Sequence, residues 1–198
     1  MSEYKYQRLQ IETDPTQLPV SLTTAKSHLR VDHSDDDSYI TALIWSASRT
    51  IEDYTKKALS QTTFKQTMHG FPNEYIELLI GHDKDLSVQN IQFYREDGTL
   101  TILSDTNYYL DDSYNPGRIY WNSSFSTPNQ NVDKKQIIIN FQAGNDISTN
   151  SLPYSVQQAL LLLVGHYYEN RMAVINTLNR ELPMGVDYLL DGFKIYSA

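Results

Sequence analysis

Residues 156–171 read VQQALLLLVGHYYENR, and this stretch decides the fold. Val156, Ala159, Leu160, Leu161, Leu162, Leu163, Val164, Tyr167 and Tyr168 are too dense to lie along a single helical stripe. A helix that is apolar around most of its circumference has to be buried around most of it. Ser151, as a capping hydroxyl, and Pro153, whose fixed φ suits a first helical turn, set its start, and Glu169, Asn170 and Arg171 return the chain to water. This leaves two readings. The segment is the central helix of an ordinary core, the commoner outcome on burial statistics, or part of its surface meets another subunit.

Upstream, the run from Ser21 supplies hydroxyl caps and then Leu22, Ala25 and Leu29 at helical spacing, which predicts a short helix to about Arg30. A second helix is predicted from about Asp36 to Ala58, with Tyr39, Ile40, Leu43, Ile44, Ala47, Ile51 and Tyr54 on one face. The acidic DHSDDDS of residues 32–38 precedes it, where carboxylates cap first-turn amides and oppose the helix dipole. A calcium loop would need the turn glycine and the closing bidentate Glu, and both are missing.

Between Leu59 and Ile147 the apolar period changes from helical to alternating. Candidate strands are 62–69, 75–80, 88–95, 99–103, 108–110, 117–121 and 136–141, with turns at Glu96-Asp97-Gly98 and Asn115-Pro116-Gly117. Residues 122–135 are polar and without period, and are read as a mobile loop, and 142–152 as a connection. Residues 172–180 read as a polar loop or a fraying helix end, and a terminal helix is expected around Val186 to Leu190.

The expected architecture is α+β: a small helical bundle built from N- and C-terminal helices (residues 21–58 and 153–198), a β-rich insertion between them (59–152) and an N-terminal arm (1–20) with one short strand near Tyr6 to Ile11 that packs late or on a neighbour. Tyr39, Leu43, Ile44, Ala47, Ile51, Leu160, Leu163, Tyr167 and Tyr168 are the candidate core and subunit-contact residues. Leu160, Leu163 and Tyr167 are expected to pack on Leu43, Ala47 and Ile51.

Composition narrows the function. A chain of 198 residues can bury about 70% of its unfolded surface without a staple, and with no cysteine it has neither disulfides nor thiolate metal sites. The longest apolar run, Ala159 to Val164, falls far short of the roughly 20 residues that cross a bilayer, and the polar amino terminus lacks a signal core. No membrane association and no signal-directed export are expected. A formal net charge of -8 argues against sequence-independent nucleic-acid binding, which rests on Lys and Arg neutralising phosphates. Like charge still allows a protein to surround DNA without gripping it. The 15 tyrosines suit interfaces, having a large apolar ring and a polar tip.

No catalytic, metal or cofactor-binding residues emerge. The five histidines have no zinc or nucleophile spacing. His166 and Glu169, one turn apart, lack the second helix motif that a di-iron bundle requires. The eight glycines form neither a P-loop nor a dinucleotide fingerprint, and nothing selects an acid–base pair among 24 carboxylates. The alternative of an uncharacterised hydrolase using carboxylates or His166 predicts a concave pocket with convergent ionisable groups and strongly shifted pKa values.

Residues 19–37, PVSLTTAKSHLRVDHSDDD, with the adjoining helix through Thr55, resemble the opening of the phage head-tail connector proteins (adaptor, or head completion proteins) of the gp6-like group, a group also associated with DNA packaging. Residues 152–171 are similar to that family's long apolar helix ending in Y-E-N-R, and LPMGVDYLL at 182–190 to its tail. None of these is a catalytic motif. The resemblance implies a non-enzymatic structural virion protein at the head–tail interface, made in the host cytoplasm. It also implies a ring, typically dodecameric, below the portal protein, extending the DNA channel and docking a tail-side connector or tail-completion protein. Its partners would be the portal, the tail-side protein and further copies of itself, with DNA passing through without specific binding. Another tail-completion part is the neighbouring alternative.

Overall fold

The structure is a computed structural model and describes residues 7–131, 135–148, 151–171 and 185–195. The described residues form a mixed α/β protein with four α-helices and two antiparallel sheets. They divide into two compact units: one takes Met1–Pro15 with Gln61–Gly144, the other Thr16–Ser60 with Asn145–Ala198. No helix among the described residues is long and apolar enough to cross a membrane.

The first unit holds the strands β1 (Arg8–Thr13), β2 (Thr62–His69), β3 (Tyr75–Glu77), β4 (Leu86–Tyr94), β5 (Leu100–Ile102), β6 (Tyr108–Asp111), β7 (Arg118–Trp121) and β8 (Gln136–Ala143). A five-stranded sheet runs β1-β2-β8-β4-β5 and a three-stranded sheet β3-β7-β6. Alternation explains the larger sheet. Along β2, Thr62, Phe64, Gln66 and Met68 are buried while Thr63, Lys65 and Thr67 are half-exposed, as the period of two requires. The register places Phe64 opposite Phe141 and Met68 opposite Ile137, and Ile91 opposite Ile139 and Phe93 opposite Ile137, so these residues share one buried face. The Phe64 and Phe141 rings stack at 5.5 Å. The opposite face is mixed: Ile138, Leu100 and Ile102 lie on it beside polar pairs, with Asn140 Nδ2 donating to Asn90 Oδ1 at 2.8 Å and Gln142 Nε2 to Thr63 Oγ1 at 3.3 Å.

Two polar side chains of β2, Thr62 and Gln66, lie on the buried face. Gln66, fully buried, donates through Nε2 to the Glu77 carbonyl at 2.9 Å and accepts the Leu79 N–H at 3.0 Å. Both ends of the amide are therefore satisfied, as burial demands. The expected turn at Glu96-Asp97-Gly98 joins β4 to β5. Gly98 takes a φ of 83°, and the Asp97 carboxylate closes the turn on the Thr99 N–H and hydroxyl at 2.8 and 2.6 Å. Those bonds hold the Asp97 carboxyl below its usual pKa.

The N-terminal strand expected near Tyr6 to Ile11 is observed as β1, pairing antiparallel with β2. Residues 122–131 contain no regular helix or strand, in keeping with the loop reading, yet they are anchored. Phe125 stacks on Trp121 at 4.5 Å, and the Asn131 N–H donates to the Tyr94 carbonyl at 3.2 Å. Residues 172–180 and the first part of the 182–190 motif lie outside the described residues.

The second unit holds α1 (Leu22–Leu29), α2 (Asp37–Thr55), α3 (Tyr154–Glu169) and α4 (Val186–Leu190). Ser21 caps α1 by accepting the Thr24 N–H at 3.0 Å. Pro153 occupies the position before the first helical residue of α3, and no side chain caps the helix there. The Gln157 amide donates at 2.7 Å to the carbonyl of Leu152, at the entry to the helix. The core of this unit unites Ile40, Leu43, Ile44, Ala47 and Ile51 of α2 with Val156, Ala159, Leu160, Leu163 and Val164 of α3 and Val186 and Leu190 of α4.

Glu52 is 7% exposed and ties the last turns of α2 to the backbone at Leu59. Its Oε1 accepts the Leu59 N–H at 2.9 Å, and its Oε2 meets Arg49 Nη1 at 2.7 Å. Burial pushes its carboxyl above the ordinary value near 4.5, with the Leu59 amide and Arg49 pulling partly back. Between the ordinary and the raised value the folded chain holds a proton that the unfolded chain has released, so stability falls as pH rises through the folded-state pKa and is fully restored below about 4.5. Glu52→Gln should flatten that slope in urea titrations across this range. Glu52→Ala, which strands the Leu59 N–H, should cost about 1–3 kcal/mol. Equal slopes for wild type and Glu52→Gln would refute the assignment.

Candidate functional site

With no reactive motif in the sequence, the functional candidates are surfaces, and they start from the nine candidate core and contact residues. Leu43, Ile44, Ala47, Ile51, Leu160 and Leu163 are buried, and Tyr39, Tyr167 and Tyr168 are half-buried against the same cluster. Two of these tyrosines use their hydroxyls in hydrogen bonds. Tyr167 hydroxyl shares a hydrogen bond with Thr50 Oγ1 at 3.1 Å. Tyr168 hydroxyl donates to Asp36 Oδ2, and its ring lies 6.0 Å from that of Tyr39.

Arg171 completes this second group. Its guanidinium reaches Asp36 Oδ2 at 3.1 Å and sits 4.7 Å from the Tyr39 ring and 5.0 Å from the Tyr168 ring. Asp36, Tyr39, Tyr168 and Arg171 thus fasten the C-terminal end of α3 to the N-terminal end of α2. The phenol hydrogen bond, with the Arg171 charge behind it, holds the Asp36 carboxyl below its usual pKa, and the same bond raises that of Tyr168.

The expected capping role of the acidic cluster is corrected here. Asp36 stands at the N-cap of α2 yet makes no side-chain cap bond, because a phenol and a guanidinium offer its carboxylate stronger, charge-assisted donors than the local amides. Asp37 instead pairs with Lys26 of α1 at 2.6 Å. Among the described residues no group of three or more His, Asp or Glu side chains is placed to hold a metal ion.

The over-apolar α3 buries one face and leaves another open. Val156, Ala159, Leu160, Leu163 and Val164 turn inward, while Gln158, Leu162, His166 and Glu169 lie outward. Leu162 is 37% exposed, and Tyr154 at the start of the helix is 89% exposed. His166 keeps its ring in solvent, with Nδ1 3.3 Å from the Asn170 amide nitrogen. Nothing in this arrangement brings His166 and Glu169 to a common centre.

The β-sheet unit adds surfaces that the sequence reading did not single out. On the small sheet, Tyr75 pairs with Tyr120, which pairs with Tyr109, and their rings lie 5.4 and 5.6 Å apart. Arg118 lies 4.6 Å from the Tyr75 ring and 4.2 Å from that of Tyr114, with its Nη2 3.2 Å from Glu77. The tyrosine count was the available signal, but only the register between distant strands puts these residues side by side. A shallow depression of about 390 Å³, lined by Phe93, Arg95, Glu96, Asp97, Pro128 and Asn129, opens beside the β4–β5 turn. Asp97 is already engaged in closing that turn.

Comparison with known proteins bears on this arrangement. Residues 19–87 match the family model of the phage gp6-like head-tail connector proteins. No curated protein sequence matches the chain. Among solved structures, the chain is similar to one from the neck of an empty gene transfer agent (GTA) particle computed with C6 symmetry, with a TM-score of 0.78, 22% identity, and coverage of 96% of this chain and 97% of that one. A chain from the virion of a native GTA particle gives a TM-score of 0.78 at 22% identity, covering 96% of each chain. A chain from the native GTA neck computed with C12 symmetry gives 0.74 at 21% identity, covering 96% of this chain and 97% of that one. At these identities the likeness to the solved chains is one of fold. Residues 19–87 thus carry a stretch similar to the gp6-like phage head-tail connector proteins, and over nearly its whole length the chain has the fold of a GTA particle chain.

Proposed function

We propose that the chain is a structural virion protein that assembles as a ring at the head–tail interface, below the portal protein. There it extends the DNA channel and docks a tail-side connector or tail-completion protein. The observation that carries this reading is the pairing of a connector-family sequence in residues 19–87 with a fold match that spans both chains almost completely. The particle necks that supply the matches were computed with C6 and C12 symmetry. Symmetry of that order requires heterologous contacts that repeat around an axis.

In this reading the helices of residues 21–58 and 153–198 form the connector frame, with the β-rich region between them as an insertion. Tyr39, Tyr167 and Tyr168 stand between the core and the surface, and the outward residues Tyr154 and Leu162 of α3 are available for a neighbour. The net charge of -8 suits a channel wall to which packaged DNA does not adhere. A predominantly basic channel surface would refute that last point.

The test mixes the purified chain with the portal protein from its own genome and looks for rings by electron microscopy. Rings stacked on the portal are expected. Absence of any complex across a range of salt concentrations would overturn the proposal.

A further inference from the structure

Among the described residues the five-stranded sheet ends in two edge strands, β1 on one side and β5 on the other, and the two are not alike. In β5 the backbone and the side chains leave the same residues without partners. The Arg95 N–H donates to the Thr99 carbonyl at 2.9 Å and the Leu103 N–H to the Ile91 carbonyl at 2.7 Å, with Phe93 opposite Thr101 between them. Antiparallel pairing alternates, so Thr99, Thr101 and Leu103 spend their amides and carbonyls on β4, and Leu100 and Ile102 direct theirs away from the sheet. Those same two residues are 48% and 62% exposed.

Sheet edges are ordinarily guarded by charge, proline or a bulge. β1 has such guards: Arg8 and Glu12 lie in it, and its register shifts between Ile11 and Thr13. β5, reading Leu100-Thr101-Ile102, has none of them. An unguarded apolar edge is a template for another strand.

We propose that β5 accepts the β1 edge of a second copy of this chain, continuing the sheet from one subunit to the next around the ring. This rests on the connector reading. A closed ring joins two different patches of the same chain, and this sheet has two different edges. Every neighbouring pair in the order β1-β2-β8-β4-β5 is antiparallel, so with an odd number of strands β1 and β5 point the same way. Copies related by rotation about an axis along the strands therefore meet as a parallel pair. Between the guards of β1 lies the uncharged Leu9-Gln10-Ile11, matching β5 in length, so that the contact rests on main-chain hydrogen bonds between the two edges.

The chain contains no cysteine, so Ile102→Cys can carry a benzophenone maleimide as its sole thiol label. The labelled chain is assembled on the portal protein and irradiated. A product of twice the chain mass, with the adduct mapped by mass spectrometry to residues 8–13, is the expected result. An adduct on the portal, on a tail-side protein or elsewhere in the second copy would overturn the inference, and so would rings without any cross-link. Those outcomes leave the connector reading standing, whereas failure of the wild-type chain to form rings removes both. In parallel, Ile102→Lys, which places a charge on the exposed edge, should keep the melting temperature of the free chain while lowering the fraction recruited into rings roughly tenfold. Undiminished recruitment would count against the edge as the contact.

Discussion

Phe141→Ala is expected to destabilise the β-sheet unit by about 3–5 kcal/mol. Phe141 lies in β8, the central strand of the five, with β2 on one side and β4 on the other, and none of its surface reaches solvent. Its ring stacks on Phe64 at 5.5 Å. Truncation removes the transfer free energy of a whole ring and leaves a void between paired strands that cannot close without breaking their register. The chain has two tryptophans, Trp121 in the β-sheet unit and Trp45 in the helical unit. In a Trp45→Phe background, Trp121 fluorescence during urea unfolding reports the β unit by itself. A loss below about 1 kcal/mol would mean that Phe141 is not the centre of that core.

The second large effect is predicted in the helical unit. Leu160→Ala should cost about 2–5 kcal/mol, whereas Leu162→Ala, two residues along the same helix, should stay within about 0.5 kcal/mol in the free chain. Leu160 is wholly buried among the α2 residues that form its surroundings, and Leu162 is 37% exposed. Trp45 fluorescence in a Trp121→Phe background tracks this unit. The contrast matters because the two leucines are indistinguishable by composition. Similar losses for both would mean that α3 is enclosed on both faces in the free chain, leaving no open apolar face for a neighbour. If Leu162→Ala leaves the free chain intact but reduces ring formation, the outward face of α3 gains direct support as a contact.

Much of the secondary structure was legible because its physical cause is local. The seven strands expected between residues 62 and 141 all occur, the one at 62–69 with the same ends and the other six with shifted ones, since alternation of apolar and polar residues over a few positions is enough to define a half-buried strand. The helices at 22–29 and 37–55 arise from spacing and capping in the same way. Pairing was not legible. That β8 lies between β2 and β4 is a relation among segments tens of residues apart, and periodicity carries no information about which edge meets which.

The surface candidates show the same division. Tyrosine abundance was visible, but the Tyr75, Tyr120 and Tyr109 row depends on cross-strand register. Asp36 was readable as a helix-capping acid, and its real partners, Tyr168 and Arg171, are more than 130 residues away. A strong distant donor displaces a weak local one, which local reading cannot anticipate.

The stretch from Val156 to Arg171 separates the two kinds of knowledge. Its sequence by itself determined that a helix forms there and that its apolar residues exceed one stripe, because both stem from residue type and a period of 3.6. Only the tertiary structure decided that Leu160 and Leu163 face the core while Leu162 faces out, and that Arg171 ends in a clamp with Asp36. The reason is physical: hydrophobicity fixes how much surface must leave water, and the placement of neighbouring elements fixes which part of it does.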